Sequence, residues 1–347
     1  GHETYVLRLY EGDYKTPEGV SAIAFKGIKG PLRLLQIPGL VARLKKLLEK
    51  LKPDLVHAGP LHDLAYLIAK TGYKPLLSMS WGFDLMRDVN VDAGMASRAR
   101  FALANSSALI TDARCSAQKA VELGFDENRI CIFPWGVDID KFSPQAVVTA
   151  GKRWREAQNW QDNTVLLCLR AMEANYGVDV LAKAFAITSK KDPDLRLLLL
   201  GDGSQRADIE KIFDEAGVSE QVWFGGRVPN DTLGTYYGAA DVYVTPSHVD
   251  GSSVSLMEAM ACGLPSLVSD IPANLEWVRH GENGWVFPDN DPVKLAEIIS
   301  KLKNDDWRAM AHQARQDAQE KANWNKNKQK LFDCYQFVHQ LKDKGLA

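Results

Sequence analysis

Asp250-Gly251-Ser252-Ser253-Val254-Ser255-Leu256-Met257-Glu258-Ala259-Met260-Ala261-Cys262-Gly263-Leu264-Pro265 is a polar turn, rich in glycine and serine, that runs straight into an apolar stretch bearing one carboxylate. The run Leu256 to Ala261 predicts a helix. Its first-turn N–H groups have no partner within the helix, and Gly251, Ser252 and Ser253 before it let the backbone come close to an anion such as a diphosphate. Glu258 falls about one turn in, with Leu256, Met257, Met260 and Ala261 around it. A carboxylate among apolar side chains needs a hydrogen-bond partner, and the diol of a ribose supplies one. A capped core helix with a structural glutamate would share the pattern, so the flanking sequence has to decide.

Outward from this stretch, short apolar runs alternate with amphipathic segments, which is the pattern of parallel sheets with crossover helices. In the first half, strands are expected at Thr4 to Leu9, Leu55 to His57, Pro75 to Met79, Ala108 to Thr111 and Ile130 to Phe133. In the second half they are expected at Val165 to Leu169, Arg196 to Leu200, Val222 to Phe224, Val242 to Val244, Ser266 to Val268 and Gly284 to Val286. At 347 residues the chain exceeds one ordinary core and suits two domains of roughly 150 residues. Its 46% hydrophobic and 25% charged residues are those of a soluble globular protein, and a net charge of −2 gives no pull toward nucleic acid. The five cysteines are scattered without C-x-x-C spacing, so reduced, mostly buried thiols in a cytosolic protein are expected. The sequence shows no run of about 18 apolar residues and no signal peptide. No G-x-G-x-x-G opens a helix after a strand, which disfavours a dinucleotide-dependent dehydrogenase.

The ordered series Leu167-Cys168-Leu169-Arg170, Gly201-Asp202-Gly203, Gly226-Arg227-Val228-Pro229, Ala240-Asp241-Val242, Gly263-Leu264-Pro265 and Gly281-Glu282-Asn283-Gly284 resembles the C-terminal domain of the large retaining "group 1" glycosyltransferases, glycosyltransferase family four. That resemblance implies an α/β protein of GT-B fold, two Rossmann-like lobes facing a cleft. Pro134-Trp135-Gly136-Val137-Asp138 resembles the family's crossover between lobes, with Trp135 where the family has Asn. The implied division is an N-terminal, acceptor-side lobe over 1–143, completed by a C-terminal helix over 324–347, and a nucleotide-sugar-binding lobe over 144–323. Gly1-His2-Glu3 resembles the opening of the family's second strand. The N-lobe is therefore expected to lack its first strand, Gly-rich loop and first helix, either because the chain is a fragment or because something else fills the gap.

The family's paired acidic positions fall on Asp250 and Glu258, with Asp replacing the first Glu. By resemblance, Asp250 hydrogen-bonds the donor sugar, Glu258 binds the ribose and Arg170 stabilises the leaving phosphate, a task suited to a guanidinium fork. Gly201, Gly203, Arg227, Val228, Gly251, Ser252, Ser253 and Val254 complete the expected donor pocket. Asn175 stands where many relatives carry a second cation, so one is missing. The reaction implied is transfer of a hexose-type sugar, with retention, from a UDP- or GDP-sugar to a hydroxyl of a glycan or lipid-linked acceptor. Asp138-Ile139-Asp140 lies in the crossover and is not read as the metal-holding Asp-x-Asp of the other main glycosyltransferase fold, so metal-independent activity is expected, with no cofactor. On the acceptor side, His57, Trp81 and Asp84 are the candidates, with His62 beside His57. Trp81 replaces the family's His and either stacks on a sugar face or packs in the core. A basic amphipathic segment over 32–52, with Lys45, Lys46 and Lys50, is either a core-facing helix or a peripheral contact with an anionic membrane face. A cytoplasmic location, with or without that contact, follows from this reading. Two alternatives stay open, a GT-B phosphorylase or epimerase and a non-catalytic nucleotide-sugar binder.

Overall fold

The computed structural model describes residues 3–8, 16–27, 33–304 and 307–345. Its larger sheet grows from apolar runs that need cover on both faces. Strands β7 (Thr164–Leu169), β8 (Leu195–Leu200), β9 (Val222–Gly226), β10 (Val242–Thr245), β11 (Ser266–Ser269) and β12 (Gly284–Phe287) pair in the order β12-β11-β10-β7-β8-β9, all parallel. Leu166, Leu197 and Leu199 look to one face with Val180, Leu181 and Phe185, while Leu167, Leu198 and Tyr243 look to the other with Leu256, Met257 and Met260. That split is the period-2 alternation of a strand buried on both sides.

The first lobe is smaller. Strands β3 (Val56–Ala58), β4 (Leu76–Met79), β5 (Ala108–Thr111) and β6 (Ile130–Ile132) form a parallel sheet in sequence order. Strands β1 (Thr4–Arg8) and β2 (Val20–Ala24) pair parallel in a separate two-stranded sheet. An apolar cavity of about 330 Å³ lies against Val6, Leu7 and Ile23 on one side and Val56, His57 and Ala58 on the other. The sequence reading passed over β2, whose Val-Ser-Ala-Ile-Ala is short and carries little bulk. The resemblance of Gly1 and His2 to a strand opening lies outside the described residues.

Helices flank the strands. In the first lobe they are α1 (Arg33–Leu51), α2 (Tyr66–Thr71), α3 (Val89–Val91), α4 (Ala93–Ala104) and α5 (Arg114–Glu122). In the second they are α6 (Pro144–Gln158), α7 (Val178–Ser189), α8 (Arg206–Ala216), α9 (Leu233–Ala239), α10 (Val254–Ala261), α11 (Pro272–Leu275), α12 (Pro292–Ile299) and α13 (Arg308–Lys321), with α14 (Trp324–Asp343) closing the chain. Helix α1 buries Leu40, Leu44 and Leu48 against Leu67, Ile68 and Leu76 and leaves Lys45, Lys46 and Lys50 exposed. No described helix is long and apolar enough to cross a membrane.

Helix α14 leaves the second lobe and packs on the first, where Cys334 and Val338 meet Leu77, Ile110 and Phe133. The crossover is pinned as it passes: Val137 N–H donates to the Ala322 carbonyl at 2.7 Å, and Arg315 donates to the carbonyls of Ile139, Phe142 and Ala261. The expectation of five reduced thiols is corrected here. Cys131 of β6 and Cys334 of α14 form a disulfide across 203 residues of sequence, while Cys115, Cys168 and Cys262 are free. Spacing along the chain carries no sign of this pairing, because the return of α14 brings the two cysteines together.

Candidate active site

In the larger sheet, β7 has β8 on one side and β10 on the other, so the chain order reverses between β7 and β10. The loops leaving those two strands must diverge to opposite faces, which opens a crevice at their carboxyl ends. Arg170 is the first residue past β7, and Asp250 sits five residues past β10. Their side chains meet there as an ion pair, with only 11% and 17% of each exposed. Arg170 Nε also donates to Thr245 Oγ1 at 3.1 Å, and the guanidinium lies over the Tyr176 ring, 5.1 Å from its centroid. The arginine is thus oriented by three neighbours and has little freedom left to lose on binding an anion.

The loop after Asp250 delivers the chain to α10, which opens at Val254, two residues before the run read from the sequence. Ser253 is its N-cap, and Ser253 Oγ accepts from Leu256 N–H at 3.4 Å. Glu258 is 4% exposed but reaches the cleft. Its carboxylate accepts from Tyr237 Oη at 2.8 Å and, more distantly, from Asn230 Nδ2 at 3.4 Å, so its surroundings are less apolar than its helix neighbours suggested. Burial pushes this carboxyl above its usual range, while the bonds from Tyr237 and Asn230 and the charge of Lys141 work the other way.

These groups line one wall of a cavity of about 620 Å³ between the lobes, together with Ser252, Ser253 and Val254. The opposite wall is Met79, Trp81, Asp112 and Trp135 from the first lobe, at or just beyond the carboxyl ends of β4, β5 and β6. Trp81 is 49% exposed and touches Phe83 edge-on, so it is a cleft residue and not a core one.

The other two acceptor-side candidates are placed differently. Asp84 is fully buried: Oδ1 accepts from Ser80 Oγ and from the N–H groups of Trp81 and Leu85, and Oδ2 accepts from Leu61 N–H. It shapes the loop that presents Trp81 and does not itself line the cleft. His57 lines the apolar cavity beside β1, with Nδ1 3.1 Å from Tyr335 Oη, and burial lowers its ring to about 4. His62 is paired with Asp88 at 2.8 Å.

The remaining donor-pocket candidates, Gly201, Gly203, Arg227, Val228 and Gly251, are not among the cavity-lining residues. Gly201 has φ +131, and a Cβ there would press on the Arg170 carbonyl; one on Gly203 would press on that of Met172. Arg227 lies close enough to Glu173 to lower its carboxyl, behind the larger effect of two bonds from Ser204. Val228 packs against the core. Gly251 lies against Asp112 from the other lobe. Sequence reasoning missed Asp112, Trp135 as a cleft wall, Asn230, Leu233 and the partner role of Tyr237. A signal was available for Asp112 alone, as the first charged residue past an apolar strand at the sheet edge where ligands gather.

Comparison with known proteins follows the same two lobes. Residues 151–322 match the family model for "Glycosyl transferases group 1", and residues 1–141 that for "Glycosyltransferase Family 4". The chain is 26% identical over 327 residues to a GDP-mannose-dependent alpha-(1-6)-phosphatidylinositol monomannoside mannosyltransferase of Mycolicibacterium smegmatis, covering 89% of this chain and 84% of that protein. It is 26% identical over 281 residues to a D-inositol 3-phosphate glycosyltransferase of Thermomonospora curvata, covering 73% of this chain but only 65% of that protein. Among solved structures, Anabaena HepE in complex with UDP-glucose superposes with a TM-score of 0.78 at 20% identity, covering 92% of this chain and 86% of that one. The sucrose-phosphate synthase of Thermosynechococcus elongatus does so with 0.79 at 20% identity, covering 96% and 88%. At such identity the likeness is one of fold.

Proposed function

This chain is a GT-B-fold relative of the group 1 and family 4 glycosyltransferases, and from that premise we propose that it transfers a sugar, with retention, from a UDP- or GDP-sugar to a hydroxyl acceptor. One observation carries the proposal: Arg170, Asp250, the Ser253-capped start of α10 and Glu258 converge on a single wall of the interlobe cavity. A guanidinium and a helix N-terminus together suit a diphosphate, and a buried glutamate behind them suits the ribose diol. Charge that develops on the departing diphosphate is met by groups already oriented, which is where electrostatic catalysis is most effective.

In this mechanism the incoming diphosphate takes Arg170 from Asp250. Asp250 is then free to accept hydrogen bonds from donor-sugar hydroxyls and to face the positive charge that grows at the anomeric carbon. The acceptor hydroxyl approaches from the Trp81 and Trp135 wall, attacks on the face the diphosphate is leaving, and passes its proton to the departing phosphate oxygen. No side chain is needed as a general base, and no step uses a metal. A calorimetric screen of UDP, GDP and ADP tests the donor site. Binding of one nucleotide, weakened at least tenfold in both Glu258→Ala and Arg170→Ala, is the expected result; no binding by the native chain overturns the proposal. Loss of transfer in EDTA that Mg²⁺ restores would refute metal independence.

A second reading, nucleotide-sugar binding without transfer, is favoured by the Arg170–Asp250 ion pair, in which each group already neutralises the other. It would show donor binding with neither transfer nor slow donor hydrolysis. The exposed Lys45, Lys46 and Lys50 of α1 extend the first reading to a lipid-linked acceptor on an anionic surface. Sedimentation with anionic but not neutral vesicles, lost when the three are changed to Ala, is the outcome expected of that extension.

A further inference from the structure

Asp112 has no part in the chemistry described so far, yet from the first lobe it makes two hydrogen bonds to the donor loop. It follows β5, is 8% exposed and lines the cleft. Its Oδ2 accepts from Ser252 N–H at 3.0 Å, and its main-chain carbonyl accepts from Ser252 Oγ at 2.5 Å. Ser252 Oγ in turn accepts from Trp277 Nε1 at 3.2 Å, so this hydroxyl is held on both sides. A Cβ on Gly251 would fall 2.5 Å from Asp112 Oδ1 and 2.7 Å from Oδ2, so the carboxylate occupies the space any other residue at 251 would need. Gly82, beside Trp81, abuts the Gly251 backbone from the same lobe. A reciprocal contact stands next to it: Glu276 of the second lobe accepts from the N–H groups of Arg114 and Cys115 at 2.9 Å each, at the start of α5.

Among the described residues Asp112 Oδ1 has no hydrogen-bond partner, although it is buried. A buried carboxylate with one oxygen unsatisfied costs stability, so its presence calls for a task other than holding the fold. We infer that Asp112 is a positioning residue which shapes the donor loop at Gly251 and Ser252 from across the cleft, so that the donor site is complete only while the two lobes are together. The loop's backbone conformation, and with it the approach to α10, is then set by a residue of the acceptor-side lobe. This inference rests on the donor-site reading above.

The test is a double-mutant cycle on Asp112→Ala and Gly251→Ala, read by calorimetry with UDP and GDP and separately by Tm without nucleotide. Each single change is expected to weaken nucleotide binding about tenfold. The double variant should be no more than about threefold weaker than Asp112→Ala, because removing the carboxylate makes room for the added methyl. Asp112→Asn keeps an acceptor for Ser252 N–H and should bind within about threefold of native. Native-like binding by Asp112→Ala, or additive effects in the double variant, would overturn the inference. Should the native chain bind neither nucleotide, the donor-site reading fails by itself. The Tm cycle still decides whether Asp112 and Gly251 are coupled, and additivity there overturns the contact as well.

Discussion

Arg170 and Asp250 are ion-paired at the mouth of the crevice, and that pairing has a measurable consequence. Whatever anion binds Arg170 must first compete with a carboxylate that is already desolvated, so removing the negative charge should favour the anion. Asp250→Asn is expected to bind UDP or GDP several-fold more tightly than the native chain while losing at least a hundredfold in transfer. Weaker nucleotide binding in that variant would contradict the proposed exchange of partners. Asp112 supplies a pH test at the same scale. Burial, with the like charges of Asp84 and Glu276, pushes its carboxyl up to about 6, and the bond from Ser252 N–H opposes this. The folded state therefore holds this proton more tightly than the unfolded chain. Its stabilising contribution is complete below about pH 4 and is lost as pH rises through about 6, a difference on the order of 3 kcal/mol. Asp112→Asn should raise Tm relative to native at pH 8, with the difference vanishing toward pH 4.

At the scale of elements, α10 depends on its first turn. The Ser253 side chain satisfies one of the unpaired N–H groups, and its loss in Ser253→Ala should cost about 1 kcal/mol and lower Tm by a few degrees. Helices α6 and α9 approach through glycines: a Cβ on Gly151 would overlap the Gly238 backbone, and one on Gly238 would overlap that of Val147. Gly151→Ala is thus expected to destabilise by about 1–3 kcal/mol, read as a fall in Tm. Strands such as Ala108–Thr111 were legible because a sheet covered on both faces writes itself as an uninterrupted apolar run. Strand β2 was not, since its residues are mostly half or fully exposed and no such run was required.

For the molecule as a whole, the return of α14 closes the first lobe and carries a covalent tie to β6. Alkylation under denaturing, non-reducing conditions should label three cysteines, Cys115, Cys168 and Cys262, and reduction should expose two more. Labelling of all five without reductant would refute the Cys131–Cys334 bond. The sequence by itself determined the alternation of strands and helices, the division into two lobes and the positions of Arg170, Asp250 and Glu258, because these depend on residue type and spacing within one segment. The tertiary structure alone decided that Asp84 braces a loop, that His57 faces another cavity, that Asp112 touches the donor loop and that Cys131 meets Cys334. Each of those depends on which distant segment comes within a few ångströms. Chain order does not record that proximity; the order of strands in the sheets and the path of α14 between the lobes create it.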